Sequence, residues 1–284
     1  MIALVVLSVA IADPQRASAD PAPTQTTLHR ADGATTLGVA VNSTHVYAAD
    51  YYGNQVLKIA KNGIISSPLP IPGLLKPDGV AVATNGDVIV ADSVNRQVLR
   101  LVIADNSVHR LPFDNLVRPG GVAVDDAGTI YVTDIFGNKV EKLGANDTAA
   151  TTLPIDGLRD PRGVAVAPNG DILIADNTHN RVVRVAPDGS ETTLPFTDLH
   201  YPAGVAVDSQ NNVYVADSVN NRILKLGATD NSITTLPFTG LNSPTAVAVD
   251  DAGSVYVTSQ NDGKVIKLSY TTAPNTGSAI LGSS

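Results

Sequence analysis

The fold is decided by a stretch that recurs along the chain, and its clearest copy is Gly-Val-Ala-Val-Asp-Asp-Ala-Gly-Thr-Ile-Tyr-Val-Thr-Asp at residues 121–134. The first four residues of this stretch recur from Gly38, Gly79, Gly163 and Gly204, and with alanine in the first place from Ala246. These starting points are 41, 42, 42, 41 and 42 residues apart. A fixed period of this length indicates a repeat protein in which each copy is one supersecondary unit.

Each copy contains four short runs with the character of β-strands. In the copy that begins at Gly121 we expect strands at 121–124, 130–133, 139–143 and 149–153, with a turn at 125–128. Apolar and β-branched runs bounded by Gly, Asp and Pro predict strands. Six copies of four antiparallel strands predict an all-β, six-bladed β-propeller. We call the strands of each blade A to D, from the axis outward.

The position of one leucine predicts how the ring closes. A leucine stands ten residues before the Gly-Val-Ala-Val run of every copy, and Leu28 stands ten residues before Gly38. The chain therefore begins with a D strand near 25–29 and ends with a C strand at 264–268. The first strand can then complete the last blade, which removes an exposed sheet edge.

Composition excludes several classes of function. The 284 residues include no cysteine, so disulfides, thiolate metal sites and cysteine nucleophiles are excluded. The formal net charge of −8 argues against a nucleic-acid partner, because phosphate binding relies on clustered Lys and Arg. We expect a single propeller domain over 24–270, monomeric, with no cofactor and no metal.

The ends of the sequence differ from the repeats. Residues 1–12 are apolar but shorter than the roughly 20 residues that span a bilayer, and Ala17-Ser18-Ala19 follows them. This order predicts a signal peptide over 1–19, or a short N-terminal anchor, followed by a linker over 20–23. We therefore expect a secreted or cell-envelope protein without a stable membrane span, and a flexible tail over 271–284.

An aspartate ends the B strand of five blades, and Ser259 takes its place in the sixth. These aspartates are Asp50, Asp92, Asp134, Asp176 and Asp217. We expect each carboxylate to accept backbone N–H bonds in its turn and to pair with the base eight residues later on strand C, such as Lys142 after Asp134. Equivalent residues are spread around the ring, so they predict no catalytic or metal cluster.

The same residues carry a family resemblance. Asp-x-x-x-Asn-Arg-[Val/Ile]-x-[Arg/Lys], at 176–184 and 217–225, resembles the NHL repeat. The runs at 204–208 and 236–244 resemble the extracellular sensor propeller of actinobacterial receptor serine/threonine kinases, over about residues 24 to 270. The resemblance implies a six-bladed propeller that mediates protein or ligand contacts, usually without catalysis.

One rim of the predicted ring is the candidate site. The D–A and B–C loops share this rim, and the residue before each Gly-Val-Ala-Val run lies on it near the axis. That position reads Leu37, Asp78, Gly120, Arg162, Ala203 and Thr245 while its neighbours hardly vary. Tyr51, Tyr52, Ile135, Phe136, His179, His200 and Tyr201 fall in the same loops. Exposed aromatics on one face are typical of interaction surfaces.

We therefore expect a non-enzymatic binding propeller whose partner is a protein, a peptide or a cell-envelope ligand. The seven other aromatic residues at repeat positions, Tyr47, Tyr131, Tyr214, Tyr256, Phe113, Phe196 and Phe238, are explained by packing. The alternative is a lactonase or lyase that acts on a small cyclic ester with an axial metal or a histidine. A metal needs three or four ligands at one point, whereas the axial position offers one carboxylate, Asp78.

Overall fold

A computed structural model of the chain describes residues 22–30, 35–63 and 66–270. Within these residues, six four-stranded antiparallel sheets form the blades of a ring. This confirms the predicted all-β, six-bladed propeller.

Strand β1 (Thr24–Arg30) belongs to the last blade. The other bounds, from strand A to strand D, are β2 (Thr36–Val41), β3 (His45–Asp50), β4 (Gln55–Ala60) and β5 (Ser66–Pro68) in blade 1; β6 (Pro77–Val82), β7 (Val88–Asp92), β8 (Gln97–Leu101) and β9 (Val108–Arg110) in blade 2; β10 (Pro119–Val124), β11 (Ile130–Asp134), β12 (Lys139–Leu143) and β13 (Thr151–Thr152) in blade 3. Blade 4 has β14 (Pro161–Val166), β15 (Ile172–Asp176), β16 (Arg181–Val185) and β17 (Glu191–Thr193); blade 5 has β18 (Pro202–Val207), β19 (Val213–Asp217), β20 (Arg222–Leu226) and β21 (Ile233–Thr235); blade 6 has β22 (Pro244–Val249), β23 (Val255–Ser259) and β24 (Lys264–Ser269), with a 3-10 turn at Gln260–Asp262.

The first strand closes the ring as predicted. β1 pairs antiparallel with β24, from Thr24 opposite Ser269 to Arg30 opposite Lys264, with an irregularity before His29. Leu28 is buried in one apolar cluster with residues of blades 1 and 6. The seam between these two blades also holds an ion pair on the A–B side, where Lys61 Nζ lies 2.8 Å from Asp250 Oδ2.

Glycine is the third residue of five A strands because their backbones come very close at the axis. A Cβ placed on Gly79 would lie 2.3 Å from the carbonyl oxygen of Gly120, and one on Gly121 would lie 2.3 Å from that of Arg162. A side chain at these positions would collide with backbone, so the period of glycine follows from the ring geometry.

Apolar side chains of neighbouring blades pack against each other, so the core is divided among the seams. One cluster, for example, joins Tyr47 and Val56 of blade 1 to Val80 and Val90 of blade 2. The four repeat-position tyrosines and Phe113 are buried, while Phe196 and Phe238 are half-buried against such clusters. The packing explanation of these seven aromatics is confirmed.

The predicted signal peptide over 1–19 and the predicted tail over 271–284 lie outside the described residues, as do residues 20 and 21 of the linker over 20–23. In the part of the chain that is described, no helix has the length and apolar character needed to cross a bilayer.

Candidate ligand-binding rim

Hydrogen bonds between blades tie the B–C and D–A loops into one rim. An asparagine in left-handed conformation ends four of the B–C loops, and its side-chain oxygen accepts an N–H from the D–A loop that follows. These pairs are Asn54 with Lys76, Asn138 with Asp160, Asn180 with Tyr201, and Asn221 with Ser243, at 2.7 to 2.9 Å. The predicted sharing of one rim by the two loop sets is confirmed.

The recurring aspartates anchor the same loops from below. Asp176 Oδ1 accepts the N–H of Arg159 at 2.8 Å, and Asp217 Oδ1 accepts that of His200 at 2.7 Å. In the last blade Ser259 Oγ accepts the N–H of Asn242 at 2.9 Å. The predicted backbone role of these residues is therefore confirmed, and in blades 2–6 it holds the D–A loop to the blade that it enters.

The predicted pairing of these aspartates with the base eight residues later is wrong. In four of the five blades the second carboxylate oxygen is instead bound by the residue five positions on, as in Asp176 to Arg181 Nε at 2.7 Å and Asp217 to Arg222 Nε at 2.6 Å. In blade 3 the second oxygen of Asp134 accepts the N–H of Val117 at 2.9 Å. Strand register explains the difference. Asp134 lies opposite Lys139, whereas Lys142 lies opposite Tyr131, three residues and about 10 Å farther along the hairpin.

Bases at that later position cover the tyrosines of strand B. The Nζ atoms of Lys142, Lys225 and Lys267 lie 5.4 to 5.9 Å from the ring centroids of Tyr131, Tyr214 and Tyr256. These bases therefore lie over strand-B tyrosines rather than beside the aspartates that end strand B.

The residues predicted near the axis line a small cavity of about 90 Å³. Leu37, Asp78, Arg162, Ala203 and Thr245 are all in its wall, as expected. Gly120 is replaced there by Ile135, whose side chain lies against it: a Cβ on Gly120 would be 2.6 Å from Ile135 Cδ1. Ile135 is therefore a buried part of the cavity wall and no exposed loop residue.

Charges of both signs meet at this cavity. Asp78 Oδ2 lies 3.7 Å from Arg118 Nη2, and Arg162 Nη2 lies 3.4 Å from Asp160 Oδ2. Burial raises the pKa of Asp78 above its ordinary value, although the nearby guanidinium groups of Arg162 and Arg118 pull it down. The loss of hydration on burial therefore raises the pKa of Asp78 by more than the two guanidinium groups lower it.

This arrangement does not fit a divalent cation. The guanidinium groups of Arg118 and Arg162 beside Asp78 oppose the approach of a cation, and an axial metal needs several oxygen or nitrogen ligands. Across residues 22–30, 35–63 and 66–270, no group of three or more His, Asp or Glu side chains is placed to hold a metal ion.

The aromatic residues predicted for the rim are largely exposed. Tyr52 is 61% exposed, Phe136 62% and Tyr201 45%, while Tyr51 is half-buried with its ring edge-on to Tyr52. Cations cover three of these rings: Lys76 Nζ lies 5.4 and 5.5 Å from the centroids of Tyr51 and Tyr52. Arg118 Cζ lies 5.1 Å from the centroid of Phe136. Their role in ligand binding stays a prediction.

The two rim histidines are engaged outside the cavity. His179 Nδ1 lies 3.0 Å from Asp176 Oδ2, and the His200 ring stacks on Tyr201 with centroids 5.2 Å apart. Neither histidine lines the axial cavity with Asp78. The structure thus separates the predicted residues into an axial group (Asp78, Ile135 and Arg162) and an outer group (Tyr51, Tyr52, Phe136, His179, His200 and Tyr201).

Sequence reasoning missed four exposed aliphatic residues and the cations beside them. Leu75, Val94, Val117 and Val219 are exposed in the same two loop sets. A signal was present: Val94 and Val219 stand two residues after the anchoring aspartate, as Tyr52 and Phe136 do.

Fold and rim together define the class: the chain forms a six-bladed β-propeller with NHL repeats. The family model described as NHL repeat matches residues 116–139, 158–185 and 199–226. Among curated proteins, none matches the chain.

Solved structures of diverse proteins share this architecture. Virginiamycin B lyase from Staphylococcus aureus is 14% identical, covering 88% of this chain and 99% of its own, with a TM-score of 0.67. A gluconolactonase from Xanthomonas campestris is 18% identical over 87% of this chain and 89% of its own, with a TM-score of 0.74. A chain of a nidogen/laminin complex is 20% identical over 81% and 94%, with a TM-score of 0.65. At such identities the likeness shows the fold alone.

Proposed function

We propose that the protein is an exported, non-enzymatic binding propeller whose D–A/B–C rim engages a protein, a peptide or a cell-envelope ligand. The observation that carries this proposal is the exposure of Tyr52 and Phe136 on one rim, where packing does not account for them. Large exposed aromatics supply most of the energy at interaction surfaces.

The rim is also pre-organised, which favours recognition. The D–A loops that enter blades 2–6 are held by an aspartate or serine of their own blade, and four of these five are also held by an asparagine of the preceding blade. A surface fixed before contact loses little conformational entropy on binding. The loops therefore present their side chains as a rigid scaffold.

Export is part of the proposal and rests on the apolar run and the Ala-x-Ala step before residue 20. The likeness of the repeats to actinobacterial receptor-kinase sensors likewise supports an extracytoplasmic sensor or adaptor role for the propeller.

The alternative, a lactonase or lyase, receives less support. Lyases and gluconolactonases share the fold, but the axial cavity here combines Asp78 with guanidinium groups, and His200 lies apart on the outer rim. A divalent-metal-dependent turnover of a cyclic ester, lost on changing Asp78 or His200, would favour this alternative.

The proposal is tested by comparing capture from cell-envelope extract by three immobilised forms of the full chain. These are the wild type, the Tyr52→Ser/Phe136→Ser variant, and an Ile103→Ser/Ile233→Ser control at exposed residues outside the rim. Loss of two anchor side chains should reduce capture of the partner at least about tenfold, while the control retains it. Melting temperatures should be unchanged, because all four side chains are exposed. Equal capture by both variants would show that the rim is not the binding surface.

A further inference from the structure

The rim is chemically uneven, and blades 1–3 differ from the rest. We call the residues Tyr52, Leu75, Lys76, Val94, Val117, Arg118 and Phe136 the blade 1–3 sector. All five apolar members are exposed, with Val94 at 48% and Val117 at 45%. The positions equivalent to Val94 hold Thr178 in blade 4 and Asn261 in blade 6. The apolar surface is therefore concentrated on three consecutive blades.

These three blades are also joined into one continuous surface. Asn54 of blade 1 accepts the N–H of Lys76 at 2.8 Å, and Ser93 of blade 2 donates its hydroxyl to the carbonyl of Pro119 at the start of blade 3. A partner can therefore contact the exposed apolar side chains of neighbouring blades at the same time.

Positive charge accompanies this apolar surface, although the chain as a whole carries −8. At the surface of the loops at 51–54, 69–78, 93–96, 111–120 and 135–138, Lys76, Arg96 and Arg118 stand against the carboxylates Asp78 and Asp114. The aspartates that border these loops, Asp50, Asp92 and Asp134, are buried and accept backbone N–H bonds, so they present no carboxylate at the surface. Asp78 already faces Arg118 at 3.7 Å. Within the described residues, neither Lys76 nor Arg96 takes part in an ion pair. Their ammonium and guanidinium groups remain able to bind carboxylates.

The placement of the cations bears on the kind of ligand. Lys76 covers the rings of Tyr51 and Tyr52, and Arg118 covers Phe136. A sugar would need a free ring face on which to stack, and it would gain little from Leu75, Val94 and Val117. A peptide can instead place a carboxylate on each cation and an apolar side chain beside it.

Blade 5 makes a useful contrast. It exposes Tyr201 and Val219, but Tyr201 itself occupies the place that Lys76 and Arg118 have in blades 2 and 3. Its aromatic ring stacks on His200, and among the residues that the structure describes no lysine or arginine lies over it.

Resting on the proposed function of the rim, we propose that its partner is an acidic protein segment with apolar side chains, bound on the blade 1–3 sector. Carboxylates of the segment pair with Lys76 and Arg118, and its apolar side chains contact Tyr52, Val94 and Phe136. The cations of the sector stand out on a chain that is acidic overall. They therefore orient an acidic segment on this part of the rim and accelerate its association.

The test uses a random 12-residue peptide library displayed on phage and selected on the full chain. Enriched peptides should be net negative and contain aromatic or aliphatic residues. Their dissociation constants, measured by fluorescence polarisation, should rise at least tenfold in the Lys76→Glu/Arg118→Glu variant and in the Tyr52→Ser/Phe136→Ser variant. The matched control is Arg159→Glu, an exposed cation on blade 4 of the same rim, and it should change the constant less than twofold. Binding should also weaken as salt is raised.

Each contrary outcome has a distinct meaning. Peptides that are not acidic, yet depend on Tyr52 and Phe136, would overturn the acidic partner while leaving the rim's proposed function intact. Peptides unaffected by both variants, or no enrichment at all, would overturn the acidic segment, and the proposed function of the rim would then be decided by the capture experiment with the Tyr52→Ser/Phe136→Ser variant. Dextran sulfate serves as a non-peptide polyanion. If it competes as strongly as the peptides and binds the Tyr52→Ser/Phe136→Ser variant undiminished, the sector only attracts polyanions and the inference is wrong.

Discussion

Substitution of Gly121 by alanine is the sharpest test of how closely the A strands approach the axis. The added Cβ would lie 2.3 Å from the carbonyl oxygen of Arg162 and 3.1 Å from Gly163 Cα. Ordinary van der Waals contact begins near 3.4 Å, so the two strands must separate by roughly 1.1 Å, the difference between 3.4 and 2.3 Å. Both obstacles are backbone atoms, and the neighbouring strand is held by the next blade of a closed ring.

Overpacking of a tight core costs about 1 to 3 kcal/mol. We therefore expect the Gly121→Ala variant to lose about 2 kcal/mol of unfolding free energy. For a domain of this size, each kcal/mol lowers the melting temperature by about 2 to 4 °C, so a decrease near 6 °C is expected. Differential scanning calorimetry and urea midpoints at one protein concentration provide the measurement.

The matched control is Ala246→Gly, because blade 6 already carries a methyl group at the equivalent position. Removing that methyl group relieves no collision. Glycine gives the unfolded chain more backbone entropy, which should lower the free energy of unfolding by no more than about 1 kcal/mol. If Gly121→Ala melts within 1 °C of the wild type, the backbones are not as close as described and the reason given for the glycine period is wrong.

Three further changes test closure and electrostatics. Deletion of residues 1–30 removes Leu28 and exposes the edge of β24, so urea unfolding should show a loss of at least about 3 kcal/mol and light scattering should show association. Burial alone would raise the pKa of Asp250, but hydrogen bonds from Lys61 and Tyr256 hold it below its ordinary value. Because this pKa is lowered, Asp250 adds to the free energy of unfolding at pH values above its unfolded-state pKa. That contribution is lost as pH falls through the folded-state pKa. Lys61→Met should therefore lower the free energy of unfolding, measured with urea, by about 1 to 3 kcal/mol at pH 7 and by almost nothing near pH 2. An equal loss at the two pH values would contradict the pairing of Lys61 with Asp250. The pKa of Asp78 is raised, so its effect on stability has the opposite pH dependence. The free energy of unfolding is highest when Asp78 is protonated, and it falls as pH rises through the folded-state pKa of this group. Asp78→Asn should thus be more stable than the wild type at pH 7 and no different near pH 3, whereas a less stable variant at pH 7 would show that the pairing with Arg118 outweighs burial.

Much of the fold could be predicted because the repeat is a local signal. The interval between Leu28 and Gly38 reproduces that of every other copy, so the role of the first strand followed from counting residues. The anchoring aspartates could be predicted as well, because Asp after a strand accepts backbone N–H bonds in the turn. The charge partner of Asp176 could not, since only the hairpin register shows that Arg181 lies opposite it and Arg184 lies farther along.

The candidate site was predictable in outline and not in its chemistry. Loop position was enough to place Tyr52, Phe136 and Tyr201 on one rim. It did not show that Ile135 folds inward over Gly120, or that Arg118 covers Phe136 while facing Asp78. These contacts join residues of different loops and blades, so their distances depend on how neighbouring blades pack.

By itself, the amino-acid sequence determined the number of blades, the strand order and the closing strand, because a repeated pattern of glycine, leucine and aspartate needs the same surroundings in each copy. Only the tertiary structure decided which rim side chains are exposed, which are buried at the axis, and which cations lie over which rings. The physical reason is that the repeat specifies contacts within a blade and its seams. The rim residues vary from blade to blade, and their environment is created only when six different loops are brought together around one axis.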